Sequence, residues 1–388
     1  MRILILYNTA MEPRSVSGVI RYFAGVVPHW IAAGHSVDFV VARASMPLWR
    51  ETFPHSRLVS SDDLVPAPRN RIQNLLCLPA YAWRSLSFHY ARDAAGYDVY
   101  FACAPFLFEV YPAWRLARKN RAVLAVKVHH MVYAQDRRGG IIDRLFVVTE
   151  RLAVRLLNRH AKLILCSTPP VAADYNRLEA YLGLAPREIR CTGYGVDADA
   201  IPDATRCPKE FDAVLLGRLH EHKGILDAPE VWRQVREKRP DARLLVIGEG
   251  PHRGELERRI AEAGIGSGVV LAGAVSEAEK NRLVAASRVG LSLSREEGWG
   301  LSVHEFLAFG LPVVAMHLPI LDHVFPGQID GVPAGDTARC AERIGWWLDH
   351  PEACREQGVR GRAFAIGKDH RAVARAEIEA MAAAIAAA

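Results

Sequence analysis

Short runs of Val, Ile, Leu and Phe, four to seven residues long, alternate along the chain with longer stretches in which apolar residues recur every three or four positions. The short runs are bounded by Gly, Pro, Asn or Asp and read as strands, whereas the longer stretches have the period of helices with one face in a core. Strands are expected at 2–7, 36–42, 97–103, 122–128, 162–167 and 188–192, and again at 211–216, 242–248, 268–272, 289–293 and 312–315. Strand and helix in alternation are the pattern of βαβ units, so the sheets should be parallel.

The series breaks once. Residues 193–208, GYGVDADAIPDATRCP, gather Gly, Asp and Pro at turn-like density, and a second run of strands starts near Phe211. A chain of 388 residues is also longer than one α/β core usually is. The division implied is 1–195, 196–366 and a final helical stretch 367–388, alanine-rich from 369 onward. Apolar residues make up 50% of the chain and charged residues 24%, a soluble globular mix. The longest apolar stretch, 18–33, is broken by Arg21, Pro28 and His29, so no membrane span is expected. The opening MRILILY reads as a strand without charged leader or cleavage site, and a cytoplasmic protein is the expectation. Seven cysteines, at 77, 103, 166, 191, 207, 340 and 354, form no CxxC and no Cys/His pairing, which fits reduced thiols better than disulfides or structural zinc.

Charge is unevenly spread. Residues 1–200 hold 25 Lys+Arg against 16 Asp+Glu, a balance of +9, and residues 201–388 hold 24 against 27, a balance of −3. The basic half includes Arg115, Arg118, Lys119, Arg121 and Lys127, and the segment 69–92 mixes arginines with Tyr81, Trp83, Phe88 and Tyr90. Such a face suits an anionic membrane surface or an acidic acceptor; a solvated helix face over a core stripe is the plain alternative. Nothing in the chain resembles a nucleic-acid motif.

Open parallel sheets bind ligands beyond the carboxyl ends of their strands, so the loops after strands carry the candidate chemistry. After 211–216, GRLHEHKGI supplies Gly217, Arg218 and Lys223 ahead of a helix. A planar guanidinium and a point-charge ammonium near a helix N-terminus suit a diphosphate, with a solvated basic loop as the alternative. The segment 297–315, EGWGLSVHEFLAFGLPVVA, reads as a loop, a helix opening at Ser302 and a strand. Gly298 and Gly300 would let amides approach an anion, while Glu297 and Glu305 offer carboxylates to sugar hydroxyls. A nucleotide sugar is the ligand so suggested. The plainer account is a capping box, with Ser302 capping the helix, Glu305 reaching back to its amide, and Glu297 an ordinary exposed carboxylate. Gly248 reads as a wall of the site, and Gly273 with the backbone at 274–276, Val275 among it, as a place where a nucleobase bonds to main chain.

In the first half, the loop after the first strand is neither a Walker loop nor GxGxxG, and it ends in Gly18 at a helix start. His129 and His130 end the strand 122–128; successive side chains alternate, and His129 is read as facing the ligand. Adjacent histidines in extended backbone cannot both hold one metal, and no third ligand accompanies them, so no metal site is expected.

In order, Gly18 with GHSV at 34–37, VKVHH at 126–130, YGVD at 194–197, GRLHEHKG at 217–224, VIGEGP at 246–251 and the Glu-x7-Glu segment with GLPVVA make the chain resemble the retaining glycosyltransferases of family 4. That resemblance implies the α/β GT-B fold, two doubly wound Rossmann-like domains with a cleft between them. It implies an acceptor domain over 1–195, a nucleotide-sugar domain over 196–366, and a helix at 367–388 packing back on the first domain. Arg218 and Lys223 would hold the donor diphosphate, Glu305 the ribose, and Glu297 the transferred sugar, which His129 would also touch. Gly217, Gly248, Val275, Gly298, Trp299, Gly300, Leu301 and Ser302 would complete the donor site, with Gly18 and His130 on the acceptor side. The implied reaction moves a sugar from a UDP- or GDP-sugar to a glycan, lipid-linked or small-molecule acceptor, by front-face attack, with no metal and no cofactor besides the donor.

The chain departs from the family pattern at Ser17-Gly18, where paired glycines are common, at His130, where an aspartate is frequent, and at Trp299, which stands for a common phenylalanine and could serve packing. A sugar-nucleotide 2-epimerase of the same architecture, or a catalytically idle binding protein, are the competing functions. The intact Arg218, Lys223, Glu297 and Glu305 speak against the idle protein.

Overall fold

A computed structural model describes residues 1–8, 18–61, 93–133 and 141–388, with side chains from 144 onward in the last segment. The loop between Asn8 and Gly18, and the aromatic segment 69–92, lie outside the described residues. The chain forms two compact units, Met1–Gly195 with His370–Ala388, and Val196–Asp369.

In the first unit the strands are β1 (Arg2–Tyr7), β2 (Ser36–Val41), β3 (Leu58–Ser60), β4 (Val99–Ala102), β5 (Val123–Val128), β6 (Leu163–Cys166) and β7 (Arg190–Cys191). Its helices among the described residues are α1 (Gly18–Ala32), α2 (Met46–Thr52), α3 (Leu107–Asn120), α4 (Ile141–His160) and α5 (Pro169–Tyr181). All strands pair in parallel in the order β3-β2-β1-β4-β5-β6-β7. The reversal of order beside β1 makes the sheet doubly wound, so helices cover both faces and β1, β4, β5 and β6 are buried almost throughout.

The second unit repeats the plan. Its strands β8 (Phe211–Leu216), β9 (Leu244–Ile247), β10 (Val269–Gly273), β11 (Ser287–Ser292), β12 (Val313–Met316) and β13 (Asp330–Val332) pair in parallel in the order β10-β9-β8-β11-β12-β13. Its helices are α6 (Ala228–Lys238), α7 (Arg253–Glu262), α8 (Glu277–Ala285), α9 (Leu301–Phe309), α10 (Pro319–Val324), α11 (Thr337–Asp349) and α12 (Pro351–Ile366). Strands thus stand where the apolar runs predict them. The exceptions are β3 and β13, edge strands of three residues, too short to show a period and, in β13, interrupted by Gly331.

The last helix, α13 (His370–Ala386), belongs to the first unit and packs on α1. Its Glu377 is fully buried and accepts from Lys127 Nζ at 2.7 Å, Thr192 Oγ1 at 2.6 Å and Tyr22 Oη at 2.5 Å. Lys127 Nζ also donates to the Gly193 carbonyl at 3.2 Å. Lys127 therefore does not join the basic surface that its neighbours in sequence suggest: on β5 its side chain points into the unit, and only a full set of partners makes that burial tolerable. Arg115, Arg118, Lys119 and Arg121 do lie exposed.

Candidate functional site

In the second unit the strand order reverses between β8 and β11, and the loops leaving those two strands are the ones that carry Arg218, Lys223 and Glu297. A doubly wound sheet opens its crevice at that point, beyond the carboxyl ends of the diverging strands. After β8 the backbone bends at Gly217, exposes Arg218, and makes a single 3₁₀ turn, Glu221–Lys223, before α6 begins at Ala228. Lys223 is thus in the loop, four residues before the helix caps.

The two loops are built against each other. Gly224, at φ 61°, lies so close to the Leu293 carbonyl that an added Cβ would sit 1.8 Å from that oxygen. Arg295 donates its amide to the His222 carbonyl at 2.8 Å and its guanidinium to both oxygens of Asp227 at 3.0 and 3.1 Å. Across this junction Lys223 Nζ meets Glu297 Oε1 at 2.6 Å, and Ser294 Oγ donates to the same oxygen at 2.7 Å. The Glu297 side chain is only 7% exposed, so it is no ordinary loop carboxylate; it is fixed by a cation and a hydroxyl.

Helix α9 opens at Leu301, one residue before the expected start, and its cap is Gly300 at φ 90° with no side-chain bond. Ser302 is therefore a residue of the first turn, and the capping box with Glu305 does not form. A Cβ at Gly300 would meet Leu321 at 2.6 Å, so the left-handed entry and the close packing both call for glycine. The first bond of the helix ladder runs from His304 N to Gly300 O, which leaves the amides of Leu301, Ser302 and Val303 ahead of it, the usual donors of an anion-binding helix end. Released from the cap, Glu305 pairs with Lys280 on α8 at 3.0 Å.

Trp299 is turned into the unit: it is buried, packs on Phe325, and donates Nε1–H to His304 Nδ1 at 3.1 Å. That bond leaves His304 its proton on Nε2, which faces the Ala365 carbonyl at 3.1 Å. The indole is spent on packing, and what Trp299 offers a ligand is its backbone. Gly248, at the end of β9, stands against the Gly217 carbonyl, where a Cβ would come within 1.9 Å. Val275 is half-buried between Gly273 and Ser276, whose hydroxyl caps α8 by accepting from Glu279 N at 3.2 Å.

In the first unit His129 follows β5 and is 5% exposed. Its Nδ1 bonds to the Tyr194 hydroxyl, and Tyr22 meets both rings edge-on, with centroids 5.2 Å away. Burial, then the nearby charges of Lys127 and His130, push its pKa well below the usual histidine range, so it is neutral at neutral pH. His130 is half-buried, and Gly18 opens α1. The loop after the histidines is held by Glu150 of α4, which accepts the amides of Val132 at 2.9 Å and Tyr133 at 2.7 Å. Burial raises the Glu150 carboxyl to about 7, against the opposite pull of those amides.

Tyr194, Glu377 and Lys280 are residues that sequence reasoning passed over as chemistry. Tyr194 was within reach, since it stands in the quoted YGVD run; Glu377 and Lys280 look like ordinary charges on helices. No group of three His, Cys, Asp or Glu among the described residues is arranged as metal ligands.

Residues 198–364 match the family of glycosyl transferases group 1. The sulfoquinovosyl transferase SQD2 of Arabidopsis thaliana is 26% identical over 207 residues, 49% of this chain and 38% of that protein. The GDP-mannose-dependent phosphatidylinositol dimannoside mannosyltransferase of Mycobacterium tuberculosis is 26% identical over 234 residues, 55% of this chain and 60% of its own length. The chain thus spans less than two thirds of these relatives. In three dimensions it superposes on Anabaena HepE, solved with UDP and glucose, at a TM-score of 0.75 and 16% identity, over 99% of this chain and 100% of the other. The fold is therefore GT-B, with two parallel-sheet Rossmann-like halves.

Proposed function

With a glycosyltransferase group 1 domain over residues 198–364 as the starting point, we propose that the chain moves a sugar from a UDP- or GDP-sugar to a hydroxyl of a glycan, lipid-linked or small-molecule acceptor, with retention of configuration. The observation that carries this reading is the junction at the β8/β11 switch point, where Lys223 and Glu297 meet at 2.6 Å beside the exposed Arg218. Arg218 and Lys223 take the donor diphosphate, with the amides at the start of α9. An ammonium has three donors, so Lys223 can keep Glu297 and still bond a phosphate. Glu297, held by Lys223 and Ser294, presents its carboxylate to hydroxyls of the transferred sugar, and Glu305 takes the ribose.

Sugar transfer builds charge on the departing diphosphate, and fixed cations and helix amides aimed there stabilise the transition state more than the bound substrate. The acceptor hydroxyl attacks from the face the diphosphate leaves, and a donor phosphate oxygen takes its proton; no metal is assigned a part. The first unit holds the acceptor, with His129 contributing to the sugar as a neutral, Tyr194-oriented imidazole and Gly18 and His130 on the acceptor side. The relatives named for GDP-mannose and solved with UDP support either nucleotide as donor.

Thermal unfolding with UDP-, GDP-, ADP- and dTDP-sugars tests the reading. A donor at about a hundred times its Kd should add roughly 2.7 kcal/mol of stability. We expect one nucleotide series to stabilise the wild type and to lose that effect in Glu305→Ala. An unshifted transition across the panel, with no sugar transfer to any acceptor, would favour the idle binding protein. A lipid-linked acceptor at a cytoplasmic, anionic membrane surface is favoured by the exposed Arg115, Arg118, Lys119 and Arg121 at the end of α3. Vesicle binding that fades with added salt supports that location, and no binding at low salt removes it.

A further inference from the structure

Helix α8 turns Lys280, Leu283, Val284 and Ala285 inward. An aliphatic side chain at 280 would complete that stripe, yet the chain places a lysine there, and its side chain is 7% exposed. Lysine is almost never buried so far without a partner. Its Nζ lies 2.6 Å from Glu277 Oε2, one turn back on α8, and 3.0 Å from Glu305 Oε2 on α9. The two carboxylates are not equivalent. Glu277 is 71% exposed, so solvent screens its pair with Lys280 and leaves it little to contribute. Glu305 is 14% exposed, and there the ammonium fixes both the charge and the orientation of the carboxylate.

Burying an ammonium to serve Glu277 alone would cost desolvation for little return, since an aliphatic residue would pack better. Burying it to serve Glu305 has a return in recognition. A carboxylate that swings among rotamers meets a ribose diol in a fraction of its orientations, whereas one tied at Oε2 is organised before the ligand arrives. We propose that Lys280 is a positioning residue for Glu305 and sets the preference of the site for ribonucleotides over deoxyribonucleotides. This rests on the donor reading above, in which Glu305 takes the ribose.

The test is calorimetric titration of UDP, GDP and ADP, each beside its 2′-deoxy form, into wild type, Glu305→Ala, Lys280→Met and Lys280→Arg. The wild type should prefer one ribonucleotide over its deoxy form by about tenfold, the worth of one charge-assisted hydrogen bond. Glu305→Ala and Lys280→Met should both cut that ratio to about twofold or less, and Lys280→Arg should keep most of it. Methionine fits the apolar stripe, so thermal stability and the ribose ratio should part company in Lys280→Met; a merely structural lysine would change the first and leave the second. Should that variant fail to fold, Lys280→Gln carries the same comparison. A Lys280→Met protein with the wild-type ratio, set against a Glu305→Ala protein that has lost it, overturns the positioning role and leaves the donor reading standing. If the wild type binds none of the diphosphates, or Glu305→Ala keeps the ratio, the ribose assignment itself fails and the role of Lys280 goes with it.

Discussion

The two halves share a strand order and differ in what they do with buried charge. In the first, Lys127 is sealed from water with Glu377, Thr192, Gly193 and Tyr22 around it, joining β5 to the final helix. In the second, Lys223, in the loop after β8, and Lys280, on α8, each meet a carboxylate of the Glu-x7-Glu pair; Lys280 is as enclosed as a core residue, whereas Lys223 is still 25% exposed. A charge enclosed with every donor and acceptor met has nothing left to offer a ligand and acts as architecture. A charge held on one side and partly open on the other, as Lys223 is, keeps donors that the proposed diphosphate would use. The lesson is that burial alone does not mark a functional residue; the unmet remainder of its bonding capacity does.

The comparison can be broken most forcefully at Glu377. Glu377→Ala strips Lys127 of its counter-charge inside the first unit and should cost about 3–5 kcal/mol of stability, read by urea denaturation, whereas joint replacement of Lys127 and Glu377 by methionine should return much of that. A small loss in Glu377→Ala would show that water reaches Lys127 and that the network is not closed. Next in size, Lys223→Ala should lower the transfer rate by about 10²–10³-fold with a modest shift in melting temperature, the reverse balance. Equal losses of stability and rate there would erase the distinction drawn between the two lysines.

A smaller effect sharpens the contrast through pH. The folded Glu150 carboxyl titrates near 7 while an unfolded glutamate does so near 4.5, so the unfolded chain gives up this proton first and stability falls as pH rises across that window. His129 works the other way: its folded pKa lies well below 6.5, so the unfolded chain gains a proton first and stability falls as pH drops below 6.5. Melting temperatures from pH 5 to 8 should show Glu150→Gln losing the decline toward pH 7, an effect of about 1–3 kcal/mol, and His129→Gln losing the acid decline. A wild-type profile that neither variant alters would mean that neither group is as dry as the first unit makes it.

Much of this protein was written along the chain. The apolar runs place the strands, the helices between them demand parallel sheets, and the glycine-bearing loops after β8 and β11 bring Arg218, Lys223, Glu297 and Glu305 into view, because period and turn chemistry are local properties. The edge strands β3 and β13 were hidden by their brevity, and the false capping box shows how a local motif yields to a backbone that enters its helix left-handed at Gly300. Partnership across elements was not legible at all. Lys127 and Glu377 lie 250 positions apart, and Lys280 looks like the surface partner of Glu277 until α9 brings Glu305 to its other side. Sequence spacing tells which residues share a strand or a helix face; which charge is enclosed and which is left open is decided only when separate elements pack, since the cost of burying a charge depends on every group that surrounds it.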